Sequence, residues 1–88
     1  MSSELETLDQ LLGGDLSLAA VRTVYPDAEA FLRGIVGLLA TGDVLLYSNE
    51  GLELPDWQWR ELFRDQSILD RLPTLNLKIT KQGISRIA

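Results

Sequence analysis

The chain has 88 residues, enough for one domain and one core. It contains no cysteine and no histidine, which excludes disulfides, thiol nucleophiles, the usual zinc, haem and iron–sulfur ligand sets, and the commonest general base. Its net charge of −5 is unevenly spread, with −8 on residues 1–57 and +3 on residues 58–88.

An apolar fraction of 45% with 24% charged residues is ordinary for a globular chain, so one folded domain over residues 1–88 is expected. Met1-Ser2-Ser3-Glu4 lacks the apolar core of a secretory signal, and the nearly apolar stretch at 35–40 is too short to span a bilayer. The expectation is a soluble, cytoplasmic protein without membrane contact.

Ser3-Glu4-Leu5-Glu6 has the capping-box pattern, with Ser3 as N-cap. Leu5, Leu8 and Leu12 then line one face of a first helix that ends at Gly13-Gly14. Ser17 caps a short second helix with Leu18, Val21 and Tyr25 on its buried side. Tyr25-Pro26-Asp27 is a turn, because proline disfavours helical geometry at Tyr25 and Asp27 can cap the following helix. The third helix carries Phe31, Leu32, Ile35, Leu38 and Leu39 on one stripe and closes at Thr41-Gly42.

Val44 to Tyr47 reads as a strand, Ser48 to Gly51 as a turn, and Leu52-Glu53-Leu54 as a short returning strand. Pro55-Asp56 starts a helix with Trp59, Leu62 and Phe63 on one face, interrupted or recapped at Ser67 before Pro73. The alternation from Leu75 to Thr80 predicts a half-buried strand, and Lys81-Gln82-Gly83 leads into a short segment from Ile84 to Ala88.

The run Ser17-Leu18-Ala19-Ala20-Val21, followed by Tyr25-Pro26-Asp27, Phe31, Ile35, Leu38 and Gly42-Asp43-Val44, resembles the helix-turn-helix core of winged-helix proteins. The closing Leu77-Lys78-Ile79-Thr80-Lys81-Gln82-Gly83 is similar to the Leu-x-Leu-Thr-x-x-Gly ending of those families. The resemblance implies an α+β fold: a trihelical core with a small antiparallel sheet of two or three strands. It departs from the family at residues 49–73, where an inserted turn and helix replace a simple wing hairpin. The connection between the second and third helices is also one residue short.

Many winged helices read duplex DNA with the third helix, through Arg, Lys, Asn and Gln on its outward face. Here that face carries Glu29, Ala30, Arg33, Gly37 and Ala40, which supply one cation and little that can bond a base edge. A second nucleic-acid surface could draw on Arg60, Arg64, Lys78, Lys81 and Arg86, although the negative net charge disfavours it.

The small side chains of the third helix, Ala30, Gly34, Gly37 and Ala40, permit close approach of another backbone, from within the domain or from a partner. Trp57 and Trp59 point about 160° apart on a helix, so Trp59 joins the core while Trp57 lies near Arg60 and Arg64. An exposed tryptophan beside arginines is an anchor for a protein partner, or it packs over the inserted turn or stacks against an arginine of the same domain.

No catalytic constellation is apparent. Glu50, Glu53 and Asp56 sit around a turn without a nucleophile, a base or calcium-loop spacing. No cofactor, metal or small-molecule substrate is implied. The sequence therefore reads as a non-enzymatic binding module contacting a protein or a second copy of itself through Glu29, Arg33, Gly37, Trp57, Arg60 and Arg64. The alternative is a DNA-binding regulator of winged-helix type.

Overall fold

The computed structural model describes residues 2–87. Helix α1 (Ser3–Leu11) starts one residue earlier than the capping-box pattern predicts. Ser2 is its N-cap and accepts a hydrogen bond from the Leu5 amide at 3.2 Å. The Ser3 hydroxyl donates instead to the Val24 carbonyl at 3.4 Å, tying α1 to the turn around Pro26. The buried residues of α1 are Thr7, Leu8 and Leu11, so the core stripe is rotated from the expected one and Leu5 and Leu12 stay exposed.

Leu16–Ser17 forms a two-residue strand, β1, which no alternation announces. Ser17 then caps α2 (Leu18–Arg22), accepting from the Ala20 amide at 3.2 Å, and Leu18, Val21 and Tyr25 are buried as their spacing predicts. Asp27 caps α3 (Ala28–Thr41) in the same way, through the Ala30 amide at 2.8 Å. Gly42 ends α3 with φ at 82°, a left-handed conformation that glycine enters without steric cost. The turn lets the Asp43 amide donate to the Leu38 carbonyl at 3.0 Å and sends the chain into the sheet.

The sheet is antiparallel, in the order β1-β3-β2, with β2 at Val44–Ser48 and β3 at Leu75–Ile79. Leu16, Leu77 and Leu46 stand in one row, and Leu46 and Leu77 are fully buried. Ser17, Asn76 and Tyr47 form the neighbouring row on the opposite face. The protein is thus α+β, with five helices and this three-stranded sheet among the described residues.

The third strand is β1 and not the expected Leu52–Leu54. That segment pairs with β2 at a single bridge, Tyr47 to Glu53, framed by two hydrogen bonds: the Ser48 amide donates to the Leu52 carbonyl at 2.9 Å and the Leu54 amide to the Leu46 carbonyl at 2.8 Å. Leu54 is buried there, but Pro55 has no amide proton with which to continue the ladder. Helix α4 (Asp56–Arg64) follows, with Trp59 and Phe63 buried edge-to-face at 6.3 Å and Leu62 half-buried. The helix stops before Ser67, whose amide donates to Asp65 at 2.9 Å and opens a short 3-10 turn, Ser67–Asp70.

A second 3-10 turn, Leu72–Thr74, leads into β3, and helix α5 (Lys81–Ile87) closes the fold. The expected terminal segment is therefore helical, although Ala88 lies outside the described residues. Among the described residues no helix is long and apolar enough to cross a membrane.

Candidate functional site: two grooves flanking helix α3

Helix α3 packs its buried stripe of Phe31, Gly34, Ile35, Leu38 and Leu39 into the core. Its outward ridge is Glu29, Arg33, Gly37 and Ala40, all exposed, as the helical spacing predicts. Ala30 is half-buried, and Gly34 does not belong to this surface. A Cβ at Gly34 would lie 2.5 Å from a ring carbon of Tyr25, so the glycine seats an aromatic ring of the same domain. Gly37 differs: a Cβ there would meet nothing within 4 Å. The small-residue stripe thus divides into an internal seat and an open surface.

One groove of about 420 Å³ runs along the Gly37 side of the ridge, between α1, α3 and α5. Leu5, Leu8, Gly34, Gly37 and Leu38 give it an apolar lining, and Arg33, Arg86 and Glu4 add charge. Beside it lies Asp43, only 1% exposed, which the sequence singles out only as part of the turn into the sheet. Its carboxylate accepts from Thr41 at 3.0 Å and Gln82 at 3.1 Å, and pairs with Arg86 Nε at 2.7 Å. The Asp43 carbonyl accepts from both the amide and the hydroxyl of Thr80, each at 3.0 Å. A Cβ on Gly83 would collide with this carbonyl, so glycine there allows α5 to sit against the start of β2. Asp43 holds α3, β2 and α5 together, and a buried charge with several donors meets its desolvation cost through them. The local signal for such a residue is a carboxylate wedged between a helix-ending glycine and an apolar strand.

The second groove, about 290 Å³, lies on the other side of the ridge between α3 and α4. It is lined by Val36, Trp59, Phe63, Arg60 and Arg64. The Arg60 guanidinium stacks over the Trp59 ring at 4.5 Å, rather than over Trp57, and reaches Asp56 at 3.7 Å. Trp57 is 69% exposed in the first turn of α4 and does not pack over the inserted turn.

The residues expected to meet a partner therefore form two adjacent sets: Glu29, Arg33 and Gly37 on α3, and Trp57, Arg60 and Arg64 on α4. The five cations expected to touch nucleic acid are dispersed. Arg60 and Arg64 line the α3–α4 groove, whereas Arg86 is committed to Asp43 in the other groove. Lys78 borders a polar depression of the sheet with Asp15, Tyr47 and Asn76, and Lys81 begins α5. Glu50, Glu53 and Asp56 are exposed, and no group of three or more metal-ligating side chains gathers among the described residues.

Comparison of the chain with protein-family models, curated proteins and solved structures found no match. The chemistry of the two grooves is the remaining guide to function.

Proposed function

We propose that the protein is a non-enzymatic binding module that recognises a protein partner along α3 and the groove between α1, α3 and α5. The observation that carries this reading is the open backbone at Gly37, beside an apolar groove with Arg33 at its edge. A partner side chain or helix can approach α3 there without meeting a Cβ, and the floor offers leucine contacts that exclude water. The order of three helices, a strand, an insertion and a returning strand supports a winged-helix-like scaffold, with its third helix turned to protein recognition.

Co-purification from native lysate tests this reading. One partner should be recovered in proportion to bait, and Arg33→Glu should lower that recovery at least about tenfold. Lys78→Glu, on the sheet, should leave recovery unchanged. Equal recovery by all three proteins would refute the α3 surface.

A second reading, duplex DNA binding, is favoured by one observation. Arg60 and Arg64 border the groove beside α3, so cations flank the helix that would enter a major groove. Against it stand Glu29 on the ridge and the dispersal of the remaining cations.

A further inference from the structure

Helix α4 presents a surface whose two ends complement each other. Trp57, Arg60, Glu61 and Arg64 share its outward side, since three-, four- and seven-residue steps return to one face. At the N-terminal end stand Asp56 and the exposed indole of Trp57, a knob with no seat in its own domain. At the C-terminal end is a hole: the groove between α3 and α4, with Val36, Trp59 and Phe63 as apolar lining. Among the described residues, Arg60 and Arg64 are the only charged ones bordering it. Among the described residues Arg64 forms no ion pair, and the contact of Arg60 with Asp56 is long and exposed.

We propose that this face joins two copies of the chain, with their α4 helices antiparallel across a two-fold axis. The Trp57 indole of each copy enters the α3–α4 groove of the other, and each Asp56 carboxylate lies beside the other's Arg64. Charge order selects a second copy as the occupant. Reversing this nine-residue helix about its middle sets Asp56 and Trp57 of one copy against Arg64 and the groove of the other at both ends, while Arg60, at the axis, is turned onto Trp59 and Asp56 of its own copy. A two-fold axis supplies that reversal and makes every contact twice. The opposed alignment also sets the negative end of each helix dipole against the positive end of the other. Tryptophan and arginine are the side chains that most often dominate such contacts, because they desolvate a large flat area and keep a polar handle. The contact uses the α4 side of the α3 ridge and leaves the groove beside Gly37 open, so it stands apart from the partner-binding reading.

Light scattering and sedimentation equilibrium on the full chain, over a wide concentration range at low salt, test the proposal. The expected result is a monomer–dimer equilibrium that doubles the 9.8 kDa mass. Trp57→Ala, Asp56→Arg and Arg64→Glu should each raise the dimer dissociation constant roughly tenfold or more. These side chains are exposed, so circular dichroism should show all three variants folded. An equimolar mixture of Asp56→Arg with Arg64→Glu should restore the dimer, because both cross-axis pairs are then oppositely charged. A monomer at every concentration would overturn the proposal. So would a dimer indifferent to all three substitutions, or a mixture that fails to reassociate.

Discussion

The ring of Tyr25 fills the space in which a side chain at position 34 would begin. Gly34 lies on the buried side of α3, with Tyr25 Cε1, OH and Cζ all within 2.9 Å of its ideal Cβ position. Tyr25 is itself buried and packed in a T-shaped pair with Phe31, with ring centroids 5.8 Å apart, so it has little room to yield. Gly34→Ala should therefore destabilise the fold by about 1–3 kcal/mol, despite alanine's better helix propensity. Gly37→Ala, three residues along the same helix, should stabilise it by about 0.5–1 kcal/mol, because the new methyl group enters open space. Thermal unfolding of the two variants should move in opposite directions.

Tyr25 also sets a pH dependence. Burial pushes its phenol above its ordinary pKa; the nearby Glu4 charge adds to the rise, and the hydrogen bond with Thr7 works against it. The folded state therefore keeps the phenolic proton to higher pH than the unfolded chain. Its contribution is fully present below the unfolded pKa and is lost as pH rises through the folded one. Denaturant midpoints should fall on going from neutral pH to above about 10. Tyr25→Phe should flatten this fall while lowering stability at neutral pH, as the Thr7 hydroxyl loses its neighbour at 3.3 Å.

The Asp43 cluster should behave as a structural lock. Asp43→Asn keeps the shape but weakens the bonds from Thr41, Gln82 and Arg86, and should cost roughly 1–3 kcal/mol in urea denaturation. Arg86 is half-exposed, so Arg86→Gln should cost less, on the order of 0.5–1 kcal/mol. Hydrogen exchange should show the loss concentrated in α5, which this cluster ties to the end of α3.

How far the fold was legible depended on whether the signal was local. The caps at Ser17 and Asp27 follow from side chains bonding to their own backbone turn, the stop at Gly42 from glycine's access to the left-handed conformation, and the α3 stripe from helical spacing; those expectations hold, with Leu32 half-buried at the edge of the stripe. The helix starting at Pro55-Asp56 was legible from other local signals, a proline ahead of its first turn and an apolar face at helical spacing, since it has no side-chain cap. Strand β1 was not: two residues carry no periodicity, and Leu16 and Ser17 become a strand only because β3 pairs with them. The first cap is Ser2, and the Ser3 hydroxyl goes instead to the Val24 carbonyl, 21 positions away, a contact that local pattern does not announce. Of the candidate site, the outward ridge of α3 and the exposure of Trp57 could be read by counting residues. The grooves and the burial of Asp43 could not, because α5 and α4 approach α3 only through the tertiary fold.

Duplex binding separates the two functional readings. Fluorescence titration with random-sequence DNA at low salt should show no saturable binding. Salt-dependent binding weakened by Arg64→Glu would instead favour the DNA reading, since each lost phosphate contact lowers the slope of affinity against salt.

The most direct test is a photo-crosslinking residue at Ala40, exposed on the α3 ridge one turn beyond Gly37, compared with the same residue at Gln10 on the exposed side of α1. In native lysate the probe at position 40 should give one discrete protein adduct that excess wild-type chain suppresses and Arg33→Glu abolishes. An adduct pattern identical to that from position 10, or adducts with nucleic acid alone, would contradict a protein-binding groove along α3.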